Sequence, residues 1–162
     1  MENILGIKVS NSHLNMVQEI GTILFAEFHT TILYLDINQN LFIKEWADCS
    51  DDGLIDRFFY YKTTKLNVAR FLKNKQTHLD LIRNSEDGLI YFQDITSNNN
   101  SDLTIISANK IPSDYLPSSN FKLKEQDIVD FVKINKFLDI ESIDLNIDIS
   151  QSVKEFAKFK KK

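Results

Sequence analysis

The chain of 162 residues has a formal net charge of −4 at pH 7, with 43% hydrophobic and 26% charged residues, which is the composition of a folded domain and not of a disordered segment. The acidic balance argues against a general attraction to nucleic acid or to anionic membranes. With 4 glycines, 2 prolines and one cysteine, Cys49, the sequence excludes a glycine-rich phosphate loop, an internal disulfide and a cysteine-rich zinc site.

The N-terminal residues carry neither the basic segment nor the long apolar run of a signal peptide. No apolar run reaches the roughly 20 residues that a membrane-spanning helix needs. A single cysteine suits a reducing compartment, and the many lysine, isoleucine and asparagine residues are typical of an AT-rich genome, such as that of a low-GC bacterium or its phage. We therefore expect a cytoplasmic bacterial protein that does not contact membranes.

The first 64 residues predict strands. Residues 1–20 predict a short strand and then a helical turn capped by Asn11 or Ser12, with three apolar residues on one helical face: Leu14, Val17 and Ile20. A β-meander follows, because β-branched and aromatic runs alternate with turn residues. Its strands cover residues 21–28, 31–37, 41–46 and 57–62, joined by His29-Thr30, by residues 38–40 and by the acidic loop 48–53. Apolar residues on both faces of the middle strands predict a sheet covered on both sides, or a partial barrel.

Two short helices follow the fourth strand. Thr63 or Thr64 caps the first, in which apolar residues recur at helical spacing up to residue 72. The second begins with a capping box, because Asp80 follows Thr77 by three residues. Two further strands are predicted at residues 89–92 and 103–106.

The C-terminal region predicts a helix, a strand and a further helix. The first helix covers residues 124–138, with an inward stripe of Ile128, Phe131, Val132 and Leu138. Strict alternation predicts a strand over 143–149, and Ser150 or Ser152 caps a last, lysine-rich helix. The fold class is therefore α+β: a mostly antiparallel bent sheet or partial barrel with two short inserted helices and a C-terminal helix–strand–helix. Residues 1–123 form the β-meander domain, and residues 124–162 pack on it as one structural unit.

The sequence offers no convincing catalytic or metal-binding set. In the acidic loop, Asp48, Ser50 and Asp52 have the spacing of calcium ligands, but Phe59 stands where a bidentate glutamate is needed. We interpret the histidines as turn or helix-surface residues, since none has a second ligand at metal-binding spacing: His13, His29 and His78. We therefore expect no enzyme, no metal and no cofactor.

Aromatic residues are concentrated on the third and fourth strands. Residues 58–61 are four consecutive aromatics, so two of them lie on each face of the sheet. If a helix covers the second face, these rings are core; if not, they form an exposed patch of the kind that marks an interface. The candidate interface or ligand residues are Phe42, Trp46, Arg57, Tyr60 and Tyr61.

Several short motifs follow one another in a fixed order between residues 21 and 123. They are Gly21-Thr22-Ile23-Leu24-Phe25, Leu41-Phe42-Ile43, Arg57-Phe58-Phe59-Tyr60-Tyr61, Gly88-Leu89-Ile90-Tyr91 and the two-proline segment from Ile111 to Pro117. This pattern resembles an uncharacterised bacterial domain family that has no assigned activity and no catalytic motif. Asn74 stands where that family would have glycine after the first helix, and asparagine also enters left-handed geometry. The resemblance implies a fold and no particular function.

The preferred function is a non-enzymatic protein–protein interaction module of a bacterial cytosolic system, with a protein partner or self-association. It follows from the surplus of aromatic residues on the sheet and the absence of a catalytic set. The alternative is a small-ligand or nucleotide-binding regulator with an aromatic-lined cavity, in which Tyr60, Tyr61 and Trp46 stack and Arg57 supplies charge. Nucleic acid is not an expected partner, because the chain has only three arginines.

Overall fold

The computed structural model describes residues 1–26 and 29–145. Within them the strands are β1 (Ile7–Val9), β2 (Met16–Ala26), β3 (His29–Asp36), β4 (Leu41–Cys49), β5 (Asp56–Thr63), β6 (Leu89–Ile95) and β7 (Leu103–Ser107). The helices are α1 (Lys65–Leu72), α2 (His78–Arg83) and α3 (Phe131–Leu138). The strands form one antiparallel sheet in the order β1-β7-β6-β5-β4-β3-β2, which confirms the predicted α+β class. The sheet is open, since no ladder joins its edges β1 and β2 in the described part of the chain.

The larger core lies between one face of the sheet, here called the first face, and the three helices. Alternation along β4 and β5 directs Ile43, Phe59 and Tyr61 to this face, where all three are buried. The helices contribute residues at helical spacing: Val68, Phe71 and Leu72 from α1, Leu81 and Ile82 from α2, and Ile134 and Leu138 from α3. Each such side chain stabilises the fold by about 1.5–3 kcal/mol on burial, so this core is the main source of stability.

A second, smaller core lies on the opposite face, here called the second face. Its buried members are Phe42, Tyr60, Tyr91 and Leu103. Val9 at the end of β1, Leu14 in the connection to β2 and Met16 at the start of β2 pack against them. Because β1 and β2 are consecutive in sequence but lie at opposite edges of the sheet, residues 10–15 must cross between those edges. The second face is therefore covered by the N-terminal segment.

The start of the chain confirms one prediction and corrects another. The predicted strand and turn are β1 and a 3-10 turn at Asn11–His13, although the turn is capped by Ser10 and not by Asn11 or Ser12. Residues 16–20, predicted on a helix, are instead the first half of β2. Pairing with β3 satisfies their backbone groups and outweighs the weak helical periodicity, so Ile20 is buried whereas Val17 is 57% exposed.

Two of the three turns predicted within the meander are confirmed. Gln39 takes a positive φ of 68° between β3 and β4, and Gly53 takes a φ of 72° in the acidic loop between β4 and β5. The predicted connection His29-Thr30 was wrong, because both residues belong to β3 and pair with β2.

The helix-capping predictions are confirmed where the signal is local. The Thr64 hydroxyl accepts a hydrogen bond from the Asn67 N–H at the start of α1. Thr77 and Asp80 form the complete capping box of α2. Asn74 has a φ of 62°, the left-handed conformation expected for it after α1.

The C-terminal helix is shorter than predicted. The N–H groups of Val129 and Asp130 donate to carbonyls of β2, and the Asp130 carboxylate accepts the Thr22 N–H at 2.8 Å. These bonds hold the chain extended alongside β2, so α3 begins only at Phe131. Val132, predicted to face inward, is 79% exposed. Most of the predicted strand 143–149, and the whole of the last predicted helix, lie outside the described residues.

Candidate functional site

The five residues predicted to contact a partner or ligand do not form one site. Phe42 and Tyr60 belong to the core of the second face, with exposed fractions of 4% and 8%. Tyr61 and Arg57 are buried in the first face, and Trp46 is half-buried. Of the two alternatives, core or exposed patch, Phe42, Tyr60 and Tyr61 therefore follow the first, and the second face is covered by Val9, Leu14 and Met16 rather than by a helix.

A buried polar network on the first face was missed by the sequence analysis. The Glu45 Oε1 atom accepts a hydrogen bond from the Thr31 hydroxyl at 2.7 Å and lies 2.5 Å from the His78 Nε2 atom. The Glu45 Oε2 atom accepts from the Tyr61 hydroxyl at 3.0 Å. All four residues are buried. A buried carboxylate is tolerated in a protein interior when it is paired and hydrogen-bonded in this way.

Local structure explains how these side chains meet. Glu45 shares an alternating face of β4 with Leu41 and Ile43, so the strand directs its carboxylate into the core. His78 is the first residue of α2, and its N–H donates to the Phe121 carbonyl. Its ring lies 5.2 Å from that of Phe71 and 6.0 Å from that of Phe121, measured between centroids. The interpretation of His78 as a helix-surface residue was therefore wrong.

The network fixes two protonation states. Burial alone would raise the pKa of Glu45, but the charge of His78 and the hydrogen bonds from His78, Thr31 and Tyr61 outweigh it and hold the pKa below its ordinary value of 4.5. Burial, and then the neighbouring Glu45 charge, raise the pKa of Tyr61 well above 10.0. Glu45 is therefore a carboxylate at neutral pH, and Tyr61 remains a neutral donor.

We expect the network to make stability depend on pH in a defined direction. Because the pKa of Glu45 is lower in the folded chain than in the unfolded chain, its contribution to the free energy of unfolding is complete above about pH 4.5 and is lost as the pH falls through the folded-state pKa. The Glu45→Gln variant lacks this titration. Its deficit in unfolding free energy, measured in urea, should shrink between about pH 7 and about pH 3. A deficit that stays constant over that range would contradict the assigned charge state.

The network adjoins a cleft of about 390 Å³ between the first face and the segment 114–121. The aromatic rings that line it are those of Phe59, Tyr115 and Phe121, whereas the ring of Trp46 lies on the second face, where its Nε1 atom donates to Asp56. The polar residues that line it are Thr30, Thr31, Glu45, His78, Asp114 and Ser118. This volume falls within the range of about 300–1,000 Å³ that small-ligand sites occupy.

Tyr115 holds one wall of the cleft to the sheet. Its hydroxyl accepts a hydrogen bond from the Arg57 Nη1 atom at 3.1 Å and donates to the Asp48 carboxylate at 3.2 Å. Arg57 also forms a bidentate ion pair with Asp94, at 2.8 Å and 3.0 Å, and donates to the Glu2 carbonyl. Arg57 is therefore occupied by protein groups, and its role is to position the wall rather than to meet a ligand.

No protein-family model matches the chain, and neither a curated protein nor a solved structure matches it. The resemblance to a bacterial domain family therefore stays a prediction. Among residues 1–26 and 29–145, no helix is long and apolar enough to cross a membrane. The same residues contain no group of three or more His, Cys, Asp or Glu side chains that could hold a metal ion.

Proposed function

We propose that the protein is a non-enzymatic binding module whose cleft, beside Glu45 and His78, takes a small and largely apolar molecule. The observation that carries the proposal is a concave, aromatic-lined space of about 390 Å³ with a buried, fixed polar group in its lining. Ligand sites usually combine apolar walls with a few convergent polar groups. Ligand binding replaces protein–protein interaction as the preferred function, because Phe42, Tyr60 and Tyr61 are buried.

His78 supplies the polar contact. Its Nε2 atom is held by Glu45, and its Nδ1 atom has no hydrogen-bond partner within the residues that the structure describes. Because Glu45 and the rings of Phe71 and Phe121 fix the orientation of the imidazole, the Nδ1 atom is already positioned before a ligand arrives. Such preorganisation lowers the entropic cost of binding.

The same contacts favour binding over catalysis. A nucleophilic mechanism needs a hydroxyl or thiol within hydrogen-bond reach of its base. In the described part of the chain no serine, threonine or cysteine side chain is hydrogen-bonded to His78, and the Thr31 hydroxyl donates to Glu45 instead. The histidine and carboxylate therefore serve better as a recognition pair than as a catalytic pair.

A pair of tryptophan variants tests whether ligands bind in the cleft. Ser118 is exposed and lines the cleft, whereas Ser119 is exposed and does not. In a thermal-shift screen of cationic, neutral and anionic small compounds, a ligand at about 100 times its Kd should add roughly 2.7 kcal/mol of stability. Ser118→Trp should weaken a hit by about tenfold or more, since the indole occupies part of the cleft, and Ser119→Trp should leave it unchanged.

Two outcomes would count against the proposal. A screen in which no compound binds would contradict the proposal that the cleft is a ligand site. A hit that both tryptophan variants bind as tightly as the unaltered chain would place the ligand elsewhere on the molecule.

A further inference from the structure

We propose that the ligand of the cleft is an organic cation: an ammonium group carried on a compact apolar body. This ligand class rests on the proposed function, because it concerns the same cleft. Two independent features of the lining favour a positive charge, namely its carboxylates and its aromatic rings.

The charge of the lining is negative whatever the state of His78. The lining contains two carboxylates, Glu45 and Asp114, one imidazole, and neither lysine nor arginine. Its net charge is therefore −1 with His78 protonated and −2 with His78 neutral. An anionic ligand would meet no unengaged positive charge, since His78 is bonded to Glu45, and Arg57 is engaged by Asp94 and Tyr115 and does not line the cleft. The N–H groups of His78 and Asp80 at the start of α2 already donate to the Phe121 carbonyl and the Thr77 hydroxyl. A nucleotide, whose phosphates need cations or free N–H groups at a helix N-terminus, is thus disfavoured.

The rings of the lining suit an ammonium group. The rings of Phe59, Tyr115 and Phe121 line the cleft. The faces of such rings carry partial negative charge and attract a cation within about 6 Å of the ring centroid. Phe121 is 39% exposed, and Asp114 is exposed on the same segment. The ring and the carboxylate therefore both lie at the mouth of the cleft, where a cation stays partly hydrated, while the apolar body of the ligand enters towards Phe59 and Ile82.

Three compounds of matched shape test the ligand class: 2-phenylethylammonium, 2-phenylethanol and 3-phenylpropanoate. Titration calorimetry at pH 7 and low salt should show the cation binding tightest, by about fivefold or more over the alcohol, with the anion weakest. Because the charges at the mouth are screened by salt, the advantage of the cation should shrink as the ionic strength rises.

Matched phenylalanine variants test the role of the ring. Phe121→Leu keeps the apolar contact and removes the π face. It should therefore lower the affinity for the cation by about two- to fivefold and leave the affinity for the alcohol unchanged. Phe25→Leu is the control, because Phe25 is an exposed phenylalanine that does not line the cleft. Asp114→Asn should also lower only the affinity for the cation, and by a few-fold at most, since the carboxylate is exposed.

Failure of the ligand class and failure of the proposed function give different results. If the alcohol or the anion binds at least as tightly as the cation, the class is wrong, and a loss of that binding in Ser118→Trp still supports the cleft as a site. Equal losses of cation and alcohol in Phe121→Leu would also overturn the class. If the three compounds and the wider screen give no binding at all, both proposals fall.

Discussion

The His78→Leu variant is expected to lose about 3–5 kcal/mol of unfolding free energy at neutral pH, as measured by urea denaturation. The Glu45 Oε1 atom lies 2.5 Å from the His78 Nε2 atom, and both residues are buried. Without the imidazole, the carboxylate keeps its bonds from Thr31 and Tyr61 but loses the only basic side chain of the network. The remaining charge is then uncompensated in a poorly polarisable interior, which is why the loss exceeds that of an ordinary hydrogen bond.

Two further variants separate the charge from the packing. His13→Leu removes an exposed histidine and should change the unfolding free energy by no more than about 0.5 kcal/mol. The double variant Glu45→Gln/His78→Leu should be more stable than His78→Leu alone by about 1 kcal/mol or more, because no charge is left buried. A double variant no more stable than the single one would show that lost packing, rather than a stranded carboxylate, causes the effect.

Local signals in the sequence predicted the local features of the fold. The capping box of Thr77 and Asp80, the N-cap at Thr64 and the left-handed Asn74 each depend on residues within one or two turns of chain. The strands of the meander were likewise marked by β-branched and aromatic runs bounded by turn residues. Because such features depend only on residues close together in the chain, one sequence suffices to predict them.

Elements whose limits depend on distant partners were misplaced. Residues 16–20 are a strand because β3 lies beside them, and α3 begins at Phe131 because β2 captures the backbone of Val129 and Asp130. The second face of the sheet is covered by a segment that crosses between its two edges, which no pattern within β4 or β5 could have revealed. In each case a tertiary contact outweighed the local periodicity.

The candidate site could be predicted only in part. Glu45 and His78 are 33 residues apart, so no motif links them. One signal was present: a glutamate stands at an inward position of β4, between Ile43 and Ala47 on the same face. A carboxylate on an apolar face requires a partner. The three histidines are the natural candidates for that partner, so Glu45 points to His78 more directly than the run of aromatic residues does.

The Arg57→Met variant is expected to lose about 2–3 kcal/mol of unfolding free energy. Arg57 is buried and joins the sheet to three separate groups: the Asp94 carboxylate, the Tyr115 hydroxyl and the Glu2 carbonyl. The Asp94 side chain is 35% exposed and can be rehydrated, so the loss should stay below that of a fully buried pair. Arg83→Met is the control, since Arg83 is exposed in the last turn of α2, and it should change stability by no more than about 0.5 kcal/mol.

Arg57→Lys distinguishes positioning from simple charge. An ammonium group cannot span the bidentate pair with Asp94 and also reach Tyr115, so lysine should recover only part of the lost stability. Because Tyr115 walls the cleft, ligand affinity should fall in Arg57→Lys although residue 57 does not line the cleft. Calorimetry on the folded variant, with the tightest compound from the screen, measures that loss. Full recovery of both stability and affinity by lysine would show that one positive charge suffices, and that the wall does not depend on the planar geometry of the guanidinium group.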